Sequence, residues 1–346
     1  MPSQQMHAAV FSEFGGPEVL RHAEVPRPTP QAGEALVEVH AAAFNHLDLW
    51  VRRGLPIDTT MPHIGGSDIA GVVAAVGPGV DRALVGTRVV VNPALFCGSC
   101  SLCRRGDEAF CERFRILGEH TDGGFAEYAV APAGNLHEIP AHVEFEVAAC
   151  LPVSYQTAWR ALVNRARVKP GDDVLVIGAS GGTAIAAIQI ARLAGARVFA
   201  VTSGPANVER VRALGADEVY DREAVDFSRE VYGATARRGV DIVVENVGEP
   251  TWQGSLRALA PGGRLVTYGA TAGAEVKVDL RRLFWRQLQI IGTTMASRAE
   301  FAAMLRAAWT GRIHPVIDSR YPLTEARAAH ERLEAGRQFG KIIVVP

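Results

Sequence analysis

Cys97, Cys100, Cys103 and Cys111 crowd into fifteen residues with the spacing Cys-x2-Cys-x2-Cys-x7-Cys. Four thiolates this close converge on one tetrahedral ion, and Zn²⁺ is the dication that four sulfurs suit. Disulfides are the weaker reading, because residues 1–6 (MPSQQM) form neither a signal nor a transit peptide and cytosolic thiols stay reduced. A Cys₄ site leaves no open coordination position. It shapes a loop and leaves the chemistry to other residues.

A second constellation is Gly178-Ala-Ser180-Gly181-Gly182-Thr183-Ala184. Its small residues let the backbone approach a pyrophosphate, and the N–H groups and dipole of the helix that follows favour the anion. The glycine spacing departs from GxGxxG, so the weight falls on its place between a strand and a helix; a plain tight turn is the competing reading. The next strand ends on Thr202-Ser203-Gly204, where a carboxylate would grip the ribose 2′-OH of NAD. With hydroxyls there instead, and Arg222 or Arg210 to supply a cation, the reading leans to NADP(H), with NAD(H) as the other option. Asn246, Gly269 and Gly292 follow later strand ends, where a doubly wound sheet holds its dinucleotide.

The elements that position these residues change along the chain. The first 150 residues are β-rich, with runs at 35–40, 71–76 and 87–91 bounded by Gly and Pro. From residue 173 strands alternate with helices: strand 173–177, helix 183–193, strand 197–202, helix 207–214, and strands 240–245 and 263–268. That alternation predicts a parallel sheet covered on both faces. Two amphipathic helices, 298–309 and 324–335, precede a last strand at 341–345. Two domains suit 346 residues. A net charge of -1 gives no footprint for nucleic acid, and charged residues interrupt every run long enough to span a bilayer. A soluble cytoplasmic protein is expected.

Taken together, the β-rich start, the Cys₄ lobe, the dinucleotide unit and the return strand resemble the medium-chain dehydrogenase/reductase superfamily over essentially the whole chain. The resemblance rests on residues 66–73 (GSDIAGVV), the four cysteines, 123–128 (GGFAEY), 168–171 (VKPG), 214–217 (LGAD) and 340–343 (GKII). It implies an α/β protein with a GroES-like β-rich catalytic domain over residues 1–153, whose structural zinc lobe spans about 94–114. A doubly wound Rossmann cofactor domain over 154–293 and a return segment over 294–346 complete it. The family also implies one structural zinc per chain, a homodimer made by pairing cofactor-domain edge strands, and cofactor contacts from His46, Thr157 and Lys341.

In the alcohol dehydrogenase branch of that family a second, catalytic zinc is held by Cys, a His-Glu pair and a later Cys or Asp. The corresponding positions here are Asn45, Ser67-Asp68 and Val153, which do not hold Zn²⁺ as thiolate and imidazole do. Cys150 reads as a buried small hydrophobe, with a displaced ligand as the alternative. Asn45-x-x-Asp48-x-x-x-Arg52-x-Gly54 instead matches the quinone oxidoreductase and enone reductase branch, which uses NADPH without a catalytic metal. The resulting expectation is hydride transfer from NADPH to a small conjugated carbonyl or quinone. Asn45 is the candidate hydrogen-bond donor and Tyr155 the candidate proton source, with water as its equal. Asn45 bracing its own loop is weighed equally, and Asp48 and Asp68 are read as loop anchors. Phe44, Trp50 and Trp285 are candidate pocket walls. The alternatives are an alcohol dehydrogenase with an atypical catalytic metal site and an NADPH-binding structural or regulatory protein of low turnover.

Overall fold

The computed structural model describes residues 4–346; residues 1–3, the start of the segment read above as lacking a leader, lie outside them. The chain divides into two units. The first comprises Met1–Ser154, Ala296–Trp309 and Pro315–Pro346, and the second Tyr155–Met295 and Thr310–His314.

The second unit is a six-stranded parallel sheet. Its strands are β1 (Asp173–Ile177), β2 (Arg197–Thr202), β3 (Glu218–Asp221), β4 (Val240–Glu245), β5 (Leu259–Thr267) and β6 (Gln289–Gly292). They run in the order β3-β2-β1-β4-β5-β6, the order of dinucleotide-binding sheets. Val, Ile, Leu and Phe dominate the central strands because helices cover both faces. Leu175, Phe199, Val243 and Leu265 pack with Trp252 and Leu256 from the helix Glu249–Ala258. The sheet meets the α/β expectation. β5 begins four residues earlier than the apolar run at 263, because Leu259 already pairs with Val240 before the register shifts.

The first unit is built around a seven-stranded sheet, with three- and two-stranded companions. At its centre Glu34–Ala43 pairs antiparallel with Asp68–Val76 on one side and Lys341–Val345 on the other. The register places Ala43 opposite both Asp68 and Ile343. Residues 45, 68 and 341 are thereby brought to one end of three adjacent strands. Under them lie Val37, Ile69, Val73, Phe125 and Val344, all essentially inaccessible. Phe44 belongs to this core, with its ring 4.2 Å from Phe125 and 4.7 Å from His330, and is no pocket wall. Among the described residues no helix is long and apolar enough to cross a membrane.

Candidate active site

The strand end in the first unit carries a buried polar cluster. Lys341 Nζ donates to Asp68 Oδ2 (2.8 Å), to Asn45 Oδ1 (2.7 Å) and to the carbonyl of Phe44 (2.6 Å). Those three bonds use every proton of the ammonium. Asn45 Nδ2 donates to the same Asp68 oxygen at 3.0 Å, and Asp68 Oδ1 accepts the backbone N–H of Val153 at 2.7 Å. Asp68 is wholly buried and Lys341 nearly so. Of the four positions that correspond to catalytic-zinc ligands, Lys341 bonds two, Asn45 and Asp68, and Asp68 in turn holds the backbone of a third, Val153.

Two sequence assignments change here. Lys341, assigned to the cofactor, has its ammonium engaged within the first unit. Asn45, read as a donor to substrate or equally as a brace for its own loop, has its amide turned to Asp68 and Lys341. Ser67, in the slot of the zinc-binding His, is fully buried, and its hydroxyl has no partner among the described residues. A buried, unbonded hydroxyl is an available donor. Cys150 is fully buried, and burial pushes its thiol up to about 12, as fits a packed hydrophobe.

The helix His46–Arg53 starts directly at this cluster. Asp48 accepts the N–H of Asn45 on Oδ2 (2.7 Å) and that of Gly66 on Oδ1 (3.1 Å), pinning the helix start to the 65–68 turn. Burial raises its carboxyl to about 7 against the pull of those two N–H groups and Lys341. His46 is half-buried at the first helical position. Burial, then Lys341 and Arg53, lower its pKa, so it is neutral at pH 7.

In the second unit the dinucleotide loop takes the geometry that its small residues allow. Gly178 has φ 70°, and a Cβ on it would lie 3.0 Å from Asn246 Oδ1. Gly181 is the N-cap of the helix Gly182–Leu193 and has no side chain to cap it. The first-turn N–H groups, beside Ser180 and Thr183, remain for an anion. At the end of β2, Arg222 Nε donates to Ser203 Oγ at 2.7 Å, so these two come together. Thr202 beside them is buried, and its hydroxyl is unpartnered among the described residues, whereas Glu209 pairs with Arg212. Asn246 Oδ1 is buried and unbonded, and Gly269 lies beside the Asn246 carbonyl. Gly292 ends β6, with its carbonyl on Arg165 Nη2. Thr157 is buried with its hydroxyl 3.9 Å from Met295 Sδ.

Tyr155 lies in the interior of this unit, 1% exposed, and its phenol donates to Gln189 Oε1 at 3.2 Å. That bond and that burial argue against the proton-source assignment. Two residues that the sequence reading missed stand out. Glu245, fully buried at the end of β4, accepts from the N–H groups of Val247 and Gly248 and from the hydroxyls of Thr251 and Ser255. It moulds the turn after β4. Gln156 is fully buried with both ends of its amide unbonded among the described residues. Neither sits in a motif, so spacing gave no signal for them. Trp285 is no pocket wall either, being 82% exposed.

In the cysteine lobe the four sulfurs lie within 4.8 Å of one another. Zinc–sulfur bonds of about 2.3 Å need sulfurs roughly 3.8 Å apart in a tetrahedron, and Cys97 and Cys103 are 3.8 Å apart. Backbone N–H groups of Cys97, Cys100, Cys103 and Arg113 point at the sulfurs from 3.3–3.4 Å. Such donors stabilise thiolates. Those of Ser99 and Cys100 pull Cys97 down to about 5, whereas burial drives Cys103 up to about 12. A dication among them removes the mismatch by deprotonating the coordinating thiol. The set fits zinc.

Residues 31–141 match the family model of the alcohol dehydrogenase GroES-like domain, and residues 182–310 match that of the zinc-binding dehydrogenase. A quinone oxidoreductase of Pongo abelii is 32% identical over 98% of both chains. The structure of an NAD-dependent alcohol dehydrogenase is 43% identical with a TM-score of 0.95, covering 99% of this chain and 100% of that one. A crotonyl-CoA carboxylase/reductase in complex with NADP is 30% identical with a TM-score of 0.93, covering 100% of this chain and 96% of that one. The sheet order, the glycine loop and the cysteine lobe agree with these matches, and the chain belongs to the medium-chain dehydrogenase/reductase superfamily as an NAD(P)-dependent oxidoreductase.

Proposed function

We propose that this chain is an NADPH-dependent reductase of quinones or conjugated carbonyls whose active site uses no catalytic zinc, and whose cysteine lobe holds one structural zinc. The observation that carries this reading is the Lys341 ammonium on Asp68 Oδ2, 2.8 Å away, amid the positions of the catalytic-zinc ligands. Asn45, Ser67 and Val153 supply neither thiolate nor imidazole, and Asp68 is already neutralised. Like unit charges about 4 Å apart repel by roughly 4 kcal/mol at an effective dielectric near 20, and a dication beside this lysine doubles that. The residues present do not fit a second zinc.

NADPH supplies a hydride when bound. Ser180–Thr183 N–H groups suit its pyrophosphate, and the Ser203–Arg222 pair suits a 2′-phosphate, since a guanidinium fork matches phosphate oxygens. Asn45 and Lys341 act as positioning residues: they hold Asp68, the start of the 46–53 helix and the backbone at Val153. Ser67 Oγ, fully buried and unbonded among the described residues, is the donor we assign to a buried water at this cluster. Cysteines that ligate zinc and do not pair as disulfides suit a reducing, cytoplasmic setting.

Loss of NADPH absorbance with enones and quinones, but not with saturated aldehydes, tests the proposal; inactivity toward every activated alkene and quinone would overturn it. Metal analysis should find about one zinc per chain, as a closed Cys₄ site requires. The similarity to an NAD-dependent alcohol dehydrogenase favours a second reading, alcohol oxidation. It predicts two zincs per chain and turnover of alcohols with NAD.

A further inference from the structure

The strands of the second unit are parallel, so the dinucleotide loop after β1 lies at their C-terminal ends and the residues just ahead of each strand lie at the opposite ends. Arg237 precedes β4, Arg257 precedes β5 and Arg286 precedes β6. With Arg229 and Arg282 they line a surface cavity of about 790 Å³ that also takes in Tyr232, Ser228 and a single carboxylate, Asp226. Five guanidinium groups face one acid.

Part of this arrangement caps a helix. The last carbonyls of Glu249–Ala258 have no intrahelical partner. Arg282 Nη2 donates to the carbonyls of Leu256 (3.4 Å) and Arg257 (3.1 Å), and Arg286 Nη2 to that of Leu259 (2.8 Å). Capping needs one cation, and it leaves both Nε groups buried and unbonded among the described residues. Asp226 already accepts from Ser228 N (3.1 Å) and Ser228 Oγ (2.6 Å), with Arg229 at 3.5 Å and Arg257 at 3.8 Å. One shared carboxylate cannot neutralise the set. Burial, then Arg286 and Arg257, hold the Arg282 guanidinium below its ordinary range against the opposing pull of Tyr232 and Asp279.

We propose that this cavity is an anion site, separate from the dinucleotide loop, for a small molecule carrying two or more phosphoryl groups. A guanidinium fork binds phosphate oxygens bidentately. Five guanidinium groups spread around a cavity of this size, two of them also capping carbonyls, carry the charge to match a chain of phosphoryl groups. Because arginine stays charged at any working pH, the charge of the site itself does not change with pH, and binding weakens with salt.

The test uses the full chain saturated with NADPH, so that the dinucleotide loop is filled, and inorganic tripolyphosphate as probe at fixed ionic strength. Titration calorimetry should show saturable binding and a rise in melting temperature. Arg229→Gln/Arg237→Gln, at exposed positions that make no backbone bonds through their side chains in the structure, should weaken binding tenfold or more and leave NADPH turnover unchanged. Equimolar sulfate should not displace the probe. Unchanged affinity in the double variant, no binding while NADPH is saturating, or full displacement by sulfate would each overturn the proposal.

Discussion

At the residue scale the decisive contact is Lys341 with Asp68. Removing one partner of a buried ion pair leaves the other charge unpaired, which costs more than replacing both. Lys341→Met should therefore lower unfolding stability by roughly 3–5 kcal/mol in urea titrations. Adding Asp68→Asn should recover much of that loss; a double variant as poor as the sum of the singles would show that the two charges are not coupled. Ser203 and Arg222 make a separate prediction. If the guanidinium meets a 2′-phosphate, Arg222→Gln should weaken NADPH about tenfold, near 1.4 kcal/mol, and leave NADH unchanged in fluorescence titrations. Equal effects on both cofactors would place Arg222 elsewhere. Asp221, in register with Thr202 on β3, would then be the residue to examine for NAD binding.

At the element scale the return helix Ala326–Glu334 holds the active-site helix His46–Arg53. Arg52 is fully buried and reaches Glu334 at 3.0 Å and His330 Nδ1 at 3.4 Å. The guanidinium only donates, so His330 Nδ1 accepts and the ring is neutral. Burial, then Arg52, depress His330 to about 3, against an ordinary 6.5. A lowered folded-state value means the unfolded chain binds the proton first. The contribution is complete above pH 6.5 and is lost as pH falls toward 3. Melting temperature should drop across that window, and His330→Gln, neutral throughout, should flatten the drop; an unchanged acid limb would assign it to other groups. The sequence shows parts of this and conceals others for a physical reason. Four cysteines in one loop, or a glycine turn between β1 and its helix, carry their geometry in local spacing. Lys341, Asp68 and Asn45 meet only through antiparallel register across three strands, and Arg52 meets His330 through packing of helices far apart in sequence. The strands β3 and β6 have four residues each, too few for periodicity to show. Where function depends on such non-local meetings, residue type leaves readings open: Asn45 reads equally as a donor to substrate and as a brace for its loop, and the structure has it bonded to Asp68 and Lys341.

At the scale of the whole molecule the edge of the parallel sheet is the feature left open. Among the described residues β6 has a sheet partner on one side only, and its Ile290 is 38% exposed. An unpaired edge strand offers its N–H and C=O groups to another chain unless charge, proline or a covering element blocks it. β6 carries neither charge nor proline. The helix just before it, Leu280–Trp285, turns Arg282 inward to the carbonyls of its neighbour and leaves Leu280, Phe284 and Trp285 between 66% and 82% exposed. Three large apolar side chains beside an open strand are more than isolated surface residues and mark an interaction patch. A second copy is the simplest occupant. A two-fold axis beside β6 would pair the strand with itself in antiparallel fashion, making one continuous sheet across both chains and burying each Trp285. The chain is therefore expected to run at twice its mass in light scattering at micromolar concentration. Trp285→Glu places a charge in that patch and should give a monomer with an unchanged circular dichroism spectrum, because an exposed helix position bears no core packing. A wild-type monomer, or a dimer indifferent to Trp285→Glu, would move the association to another surface.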